Sequence, residues 1–191
     1  MAELRAPSTE HRDPSAALIA EIQAEFPAFR IVPKSGSAFC WFLDVLLRIA
    51  TLGAQRRFLT HYHTVIGWTL YVPASWEAQT WQAKVVTLRH ERVHLRQFRR
   101  HGRVGMALLY LLPILPIGLS WGRARLEWEA YAETLRATAE VLGPEAARDP
   151  RLHAQIVRQF AGGAYGWMWP FPKAVRRWIA DEVARLELPR P

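Results

Sequence analysis

Apolar residues recur at Leu18, Ile22 and Phe26 along SAALIAEIQAEF, one helical turn apart, and the pattern stops at Pro27. Asp13-Pro14 ahead of them has the chemistry of a helix start: the aspartate accepts from free backbone N–H groups, and proline has none to satisfy. FRIVP then reads as a short strand and AFCWFLDVLLRIATLG as a mostly apolar helix ended by Gly53. RFLTHYHTVIGWTLYVP is rich in β-branched and aromatic residues and predicts a hairpin turning at Gly67, with WTLYVP as its second strand. Helical spacing returns from about Ser75 to Arg100, with Trp81, Val85, Leu88 and Phe98 on the periodic positions and Gly102 beyond the end. A second long helix runs from Arg123 to Leu142 and stops at Gly143-Pro144. After it come a short helix around Leu152 to Phe160, the aromatic loop GGAYGWMWPFP, and an amphipathic helix carrying Val175, Trp178, Ile179, Val183 and Leu186. This order predicts an α+β fold, mostly helical, with a small hairpin or sheet packed on helices. Residues 1–14 are polar and read as a flexible N-terminus, leaving 15–191 as a single domain.

The segment from Val104 to Trp121 departs from this pattern, with eighteen residues and no charge among them. Pro113 and Pro116 break it in the middle, so it predicts a hairpin of two arms, each reaching about 13 Å if helical. Both flanks are basic, with Arg96, Arg99, Arg100 and Arg103 before it and Arg123 and Arg125 after it. Such a hairpin is either buried in the domain or dipped into an anionic membrane surface from one side, where Tyr165, Trp167, Trp169 and Phe171 of the aromatic loop would join it.

Candidate chemistry sits just upstream, in LRHERVHLRQF. His90 and His94 are four residues apart and so share one face of a helix, where two imidazoles can converge on a metal. Zinc takes such a pair with a third ligand and keeps a fourth position for water. Glu91 lies one step round the helix, placed to take a proton from that water and return it to a leaving amine. The surrounding Arg89, Arg92 and Arg96 would crowd a metal unless they point away, which helical geometry permits.

A third ligand is sought in RARLEWEAYAETLRATAEVL. Glu129, Glu133, Arg136 and Glu140 recur on one charged, solvated face. Glu127 is the lone charge among Ala124, Ala130, Tyr131 and Thr134, and an isolated carboxylate on an apolar face needs a partner. A divalent metal would serve, which makes Glu127 the expected ligand and Glu129 the reserve. For the donor to a tetrahedral oxyanion, Tyr131, Tyr165, His61 and His63 stand unranked. His61 and His63 alternate on a strand and could share a face, and Gln97 lies on the metal-facing side of its helix in a structural role.

HERVH followed by RLEWEAYAE resembles the gluzincins, zinc metallopeptidases with an HExxH helix and a glutamate ligand from a later helix. The chain is also similar, over roughly residues 58–180, to uncharacterised bacterial proteins with an HExxHxxQ helix, a proline-broken apolar segment and an ExEAY helix. The resemblance implies a zincin-like domain binding one zinc ion through His90, His94 and Glu127, with Glu91 as general base and acid and a peptide or protein as substrate. In several gluzincins an aspartate four residues after the glutamate orients a ligand histidine. Here that position holds Tyr131, whose phenol could make the same bond. The residues after the second histidine, LRQFRRHG, offer no ligand at the short spacing of the metzincin extension.

Composition narrows the alternatives. A net charge of +8 fits an anionic partner, but the scattered arginines form no nucleic-acid recognition motif, so a membrane surface is the expected partner and nucleic acid is not. Cys40 is the single cysteine, which excludes an internal disulfide and a thiolate cluster and reads as a small core residue. The first thirty residues carry acids and no continuous apolar run, giving the expectation of a cytoplasmic protein, free or at the inner membrane face. The rival function is a non-catalytic peripheral membrane-binding protein with a structural metal.

Overall fold

The computed structural model describes residues 13–35, 37, 38, 40–42, 44, 45, 63–111, 120–163 and 168–187. The first helix, α1 (Pro14–Glu25), starts where Asp13 Oδ1 accepts from the Ser15 backbone N–H at 2.8 Å, with Pro14 in the first turn. Three short strands follow: β1 (Arg30–Pro33), β2 (Thr64–Ile66) and β3 (Thr69–Val72), in spatial order β1-β3-β2. The predicted hairpin is the antiparallel β2–β3 pair, in which Ile66 faces Thr69 across a two-residue turn. Gly67 has a φ of 61° there, a left-handed value that glycine adopts without a Cβ clash. β1 lies parallel to β3, placing Ile31 beside Leu70. A hydrophobic pattern does not announce that pairing, because it gives a strand's inward face and not its neighbour.

The long helix begins at Trp81 rather than near Ser75, since Pro73 is followed by a 3-10 turn over Ala74–Trp76. This helix, α2 (Trp81–Leu111), runs through Gly102, where φ 66° and ψ −179° interrupt the helical backbone and divide it into 81–101 and a second arm, 103–111. Helix α3 (Trp121–Leu142) returns antiparallel to it. The cross-links show the direction: Arg89 reaches Glu133, Gln97 reaches Leu126, and Leu109 lies against Gly122. A Cβ at Gly122 would fall 2.8 Å from the Leu109 carbonyl oxygen, so glycine there lets the arm and α3 approach. The short α4 (Pro144–Ala147), α5 (Pro150–Ala161) and α6 (Pro172–Glu187) complete the described chain.

Two apolar clusters lie on either side of the α2–α3 pair. One joins Ile22, Phe26 and Phe29 to Leu70, Val72 and Trp76, with Leu88 and Leu95 of α2. The other joins Ala124 and Leu135 of α3 to Ile156, Phe160, Met168, Val175 and Ile179. The result is mostly helical with one small three-stranded sheet, an α+β arrangement.

Several sequence expectations shift. Trp169 packs at the edge of the second cluster, its ring 5.5 Å from Trp128, instead of joining a membrane-facing loop, while Trp167 and Tyr165 lie outside the described residues. Cys40 is buried as expected, but its neighbours Trp41 and Phe42 are exposed. Most of the predicted 38–53 helix and residues 1–12 fall outside the described residues. Of the apolar 104–121 segment, residues 112–119 also lie outside them, and the described part is not a buried core: Val104 is 73% and Leu108 51% exposed. Among the described residues no helix is long and apolar enough to cross a membrane.

Candidate metal centre

The antiparallel contact of α2 with α3 brings His90, His94 and Glu127 together. The two Nε2 atoms are 3.2 Å apart, and Glu127 Oε2 lies 3.9 Å from that of His90 and 3.8 Å from that of His94. A triangle with these sides has a point about 2.1 Å from every corner, the bond length zinc takes to imidazole nitrogen and carboxylate oxygen.

Hydrogen bonding fixes what these atoms present. Gln97 donates through its amide nitrogen to the Leu126 carbonyl and to Glu129 Oε2, both at 3.0 Å, which leaves its oxygen to accept from His94 Nδ1 at 2.9 Å. Thr134 donates its hydroxyl hydrogen to the Ala130 carbonyl, so its oxygen accepts from His90 Nδ1 at 2.9 Å. Both imidazoles therefore carry a proton on Nδ1 and, in the neutral form, turn a bare Nε2 lone pair inward. With the Glu127 carboxylate, three acceptors converge and none of the three supplies a proton to another. A cation satisfies such a set.

The electrostatics agree in direction. Burial pushes the His90 imidazole down to about 3, helped by neighbouring His94, so it stays neutral. For Glu127 burial acts upward, and positive charge at His94, His90 and Arg123, with the Tyr110 hydroxyl, holds the carboxyl below its usual range; with the imidazoles neutral, their share of that charge would have to come from a cation held by the trio. Glu91 is buried without being part of the converging trio, and burial raises its carboxyl to about 7, with His94 opposing.

The arginines that flank the histidines point away. Arg89 binds Glu133 and Glu140 of α3, while Arg92 and Arg96 bind Glu25 of α1 at 2.7 and 3.0 Å. Glu129, the reserve ligand, is held by Gln97 instead and lies outside the trio. Tyr131 stacks edge-on against His90 with ring centroids 4.9 Å apart, and it is Thr134 that bonds His90 Nδ1. His63 precedes β2 and packs against Trp76; burial lowers its imidazole to about 4, and its Nε2 has no hydrogen-bond partner among the described residues. His61 and Tyr165 lie outside the described residues.

Three residues that the sequence reading passed over also reach the site. Tyr110, from the arm beyond Gly102, donates its hydroxyl to Glu127 Oε1 at 2.9 Å, with the Arg123 guanidinium over its ring. Its signal was a single polar atom in an uncharged run. Thr134 stood on the Glu127 face and was counted there only as a neighbour. Lys34, buried just after β1, donates to Thr64 Oγ1 at 2.9 Å and places positive charge toward Glu91, and burial lowers its ammonium to about 8. Nothing in the local sequence of Lys34 marks it. Compared with family models, with curated proteins and with solved structures, the chain gives no match.

Proposed function

We propose that this chain is a zinc-dependent hydrolase of peptide or other amide bonds, with a zincin-like arrangement of helix and sheet around one metal site. The observation that carries the reading is the convergence of three ligand atoms, all within 4.8 Å of one another, from His90, His94 and Glu127. Structural zinc sites close with four protein ligands, whereas catalytic ones use three and leave a position for water or substrate. Among the described residues the count is three, which favours catalysis over a structural metal. Zinc held there supplies Lewis acidity and acidifies water.

The chain's own residues do the rest. The Glu91 carboxylate takes a proton from the attacking water and delivers it to the departing amine nitrogen. Tyr110 presents a neutral O–H that rests on Glu127 Oε1; turned away from that carboxylate, the same O–H donates to the carbonyl oxygen as negative charge develops on it. Thr134 and Gln97 hold the two imidazoles in the tautomer that exposes Nε2.

Metal analysis of the purified protein, beside a Glu91→Gln variant and a mixed reporter-peptide library, tests the reading. The expected result is stoichiometric zinc in both forms, with hydrolysis in the parent only. Protein that arrives without stoichiometric metal, or a Glu91→Gln variant that still cleaves at the parent rate, would overturn it.

A further inference from the structure

The arm 103–111 carries an outward face that nothing among the described residues covers. Val104 and Leu108, one helical turn apart, are 73% and 51% exposed, and Trp121 at the start of α3 is 49% exposed. Trp121 belongs to the same surface, because its neighbour Gly122 lies directly against Leu109 of the arm. Exposed apolar side chains scattered singly are ordinary, but a contiguous set marks an interaction surface.

The charges beside this face identify the partner. Arg100 and Arg103 are exposed, and among the described residues neither has a carboxylate partner, unlike Arg89, Arg92 and Arg96 on the preceding turns. Arg125, one turn beyond Trp121, is 58% exposed, with only a 3.9 Å approach to Glu129. Exposed guanidinium groups around an exposed Val, Leu and Trp match the lipid interface, where apolar side chains enter the acyl boundary and arginines meet phosphate.

We propose that the arm 103–111, together with Trp121, docks on an anionic bilayer surface through Val104, Leu108 and Trp121, with Arg100, Arg103 and Arg125 on the lipid headgroups. The same arm carries Tyr110, whose hydroxyl rests on Glu127, so docking puts the metal site next to the bilayer. If the hydrolase reading above holds, its substrates are peptide segments lying close to a membrane. The docking itself does not depend on that reading.

The test is flotation of the zinc-loaded full chain with phosphatidylcholine vesicles, with and without phosphatidylserine. The parent is expected to float with the phosphatidylserine vesicles and to stay in the aqueous fraction with phosphatidylcholine alone. Two variants, Val104→Asp/Leu108→Asp and Arg100→Glu/Arg103→Glu, alter exposed positions away from the ligands and are checked by melting temperature and zinc content. Each is expected to lower partitioning at least about tenfold, since a single surface arginine contributes roughly fivefold. The arginine pair keeps the test open if the apolar variant misfolds. A parent that never floats, arginine variants that float like the parent, or an aqueous dimer abolished by Val104→Asp/Leu108→Asp would each overturn the proposal. Zinc-dependent hydrolysis surviving a failed flotation, or flotation surviving a failed Glu91→Gln test, separates this inference from the hydrolase reading.

Discussion

Replacing Thr134 by valine isolates one hydrogen bond at the candidate metal centre. Valine nearly matches threonine in volume, so packing in the buried α2–α3 interface changes little, but the acceptor 2.9 Å from His90 Nδ1 disappears. The cost falls unevenly on the two states. Without metal, His90 can move its proton to Nε2 and donate it toward Glu127 Oε2, 3.9 Å away, after a small shift. With metal, Nε2 must stay bare, which holds the proton on Nδ1 with only the Ala130 backbone carbonyl left as an acceptor. A buried donor left poorly satisfied costs about 1 kcal/mol or more, and loss of a partner behind a metal-bound histidine typically costs about 10- to 100-fold in affinity. Thr134→Val should therefore weaken zinc binding by roughly that factor while leaving the melting temperature of the metal-free protein within a few degrees of the parent. Thr134→Ser keeps the oxygen and should stay near the parent. Competition against a chromophoric zinc chelator measures all three proteins. Parental affinity in the valine variant, or an equal loss in the serine variant, would show that this bond does not hold the imidazole.

Two further predictions test other parts of the arrangement. Tyr110→Phe keeps the ring under Arg123 but removes the hydroxyl from Glu127; zinc should stay bound while kcat on a reporter peptide falls about 100-fold with little change in KM, and an unchanged kcat would remove Tyr110 from the chemistry. Glu25 is held down to about 2 by Arg96 first and Arg92 next, against burial, from a usual value of 4.5. A carboxyl depressed by folding adds stability above its unfolded value and loses it as pH falls from about 4.5 towards 2. Because Arg96 and Arg99 are more than half exposed, screening limits the contribution to about 1–2 kcal/mol. Denaturant midpoints should show Glu25→Gln less stable than the parent at neutral pH, with the gap closing below pH 4.5; a gap constant down to pH 2 would mean the network adds nothing through charge.

The converging trio was legible because each member leaves a mark in one helix. His90 and His94 repeat at helical spacing, and Glu127 is a charge stranded on an apolar face; burial of that face against α2 puts the three within reach. The partners behind the candidate ligands were legible only in part. Gln97 meets His94 within α2, on the face its spacing already assigns it, whereas the Thr134 bond to His90 and the Gln97 bond to the Leu126 carbonyl cross the α2–α3 interface, and their distances depend on the axial register of two antiparallel helices. Hydrophobic period gives the facing side of a helix and leaves its axial offset open. Tyr110 was hidden in another way, because it reaches Glu127 only after the backbone leaves the helical path at Gly102. A glycine in sequence signals that a helix can end there, not where the chain goes next. Lys34 depends on a non-local pairing, since it meets Thr64, thirty residues on, only because β1 lies parallel to β3 and β3 pairs with β2.

The arginines that first count against a metal in LRHERVHLRQF supply part of the reason the site can exist. A helix turns about 100° per residue, so Arg89, Arg92 and Arg96 leave the axis on sides other than the one shared by His90, His94 and Gln97. On those sides they meet Glu133 and Glu140 from α3 and Glu21 and Glu25 from α1. Each contact ties α2 to a neighbouring helix and neutralises a cation at the margin of the interface rather than inside it. The inward side is left with the acceptors of His90, His94 and Glu127 and the buried carboxyl of Glu91, against the cations of Lys34 and Arg123. Had the arginines faced inward, their guanidinium donors could have filled the three acceptors and no room for a metal would remain. Outward-facing arginines thus keep the acceptors available, and the two helices they clamp hold those acceptors in register.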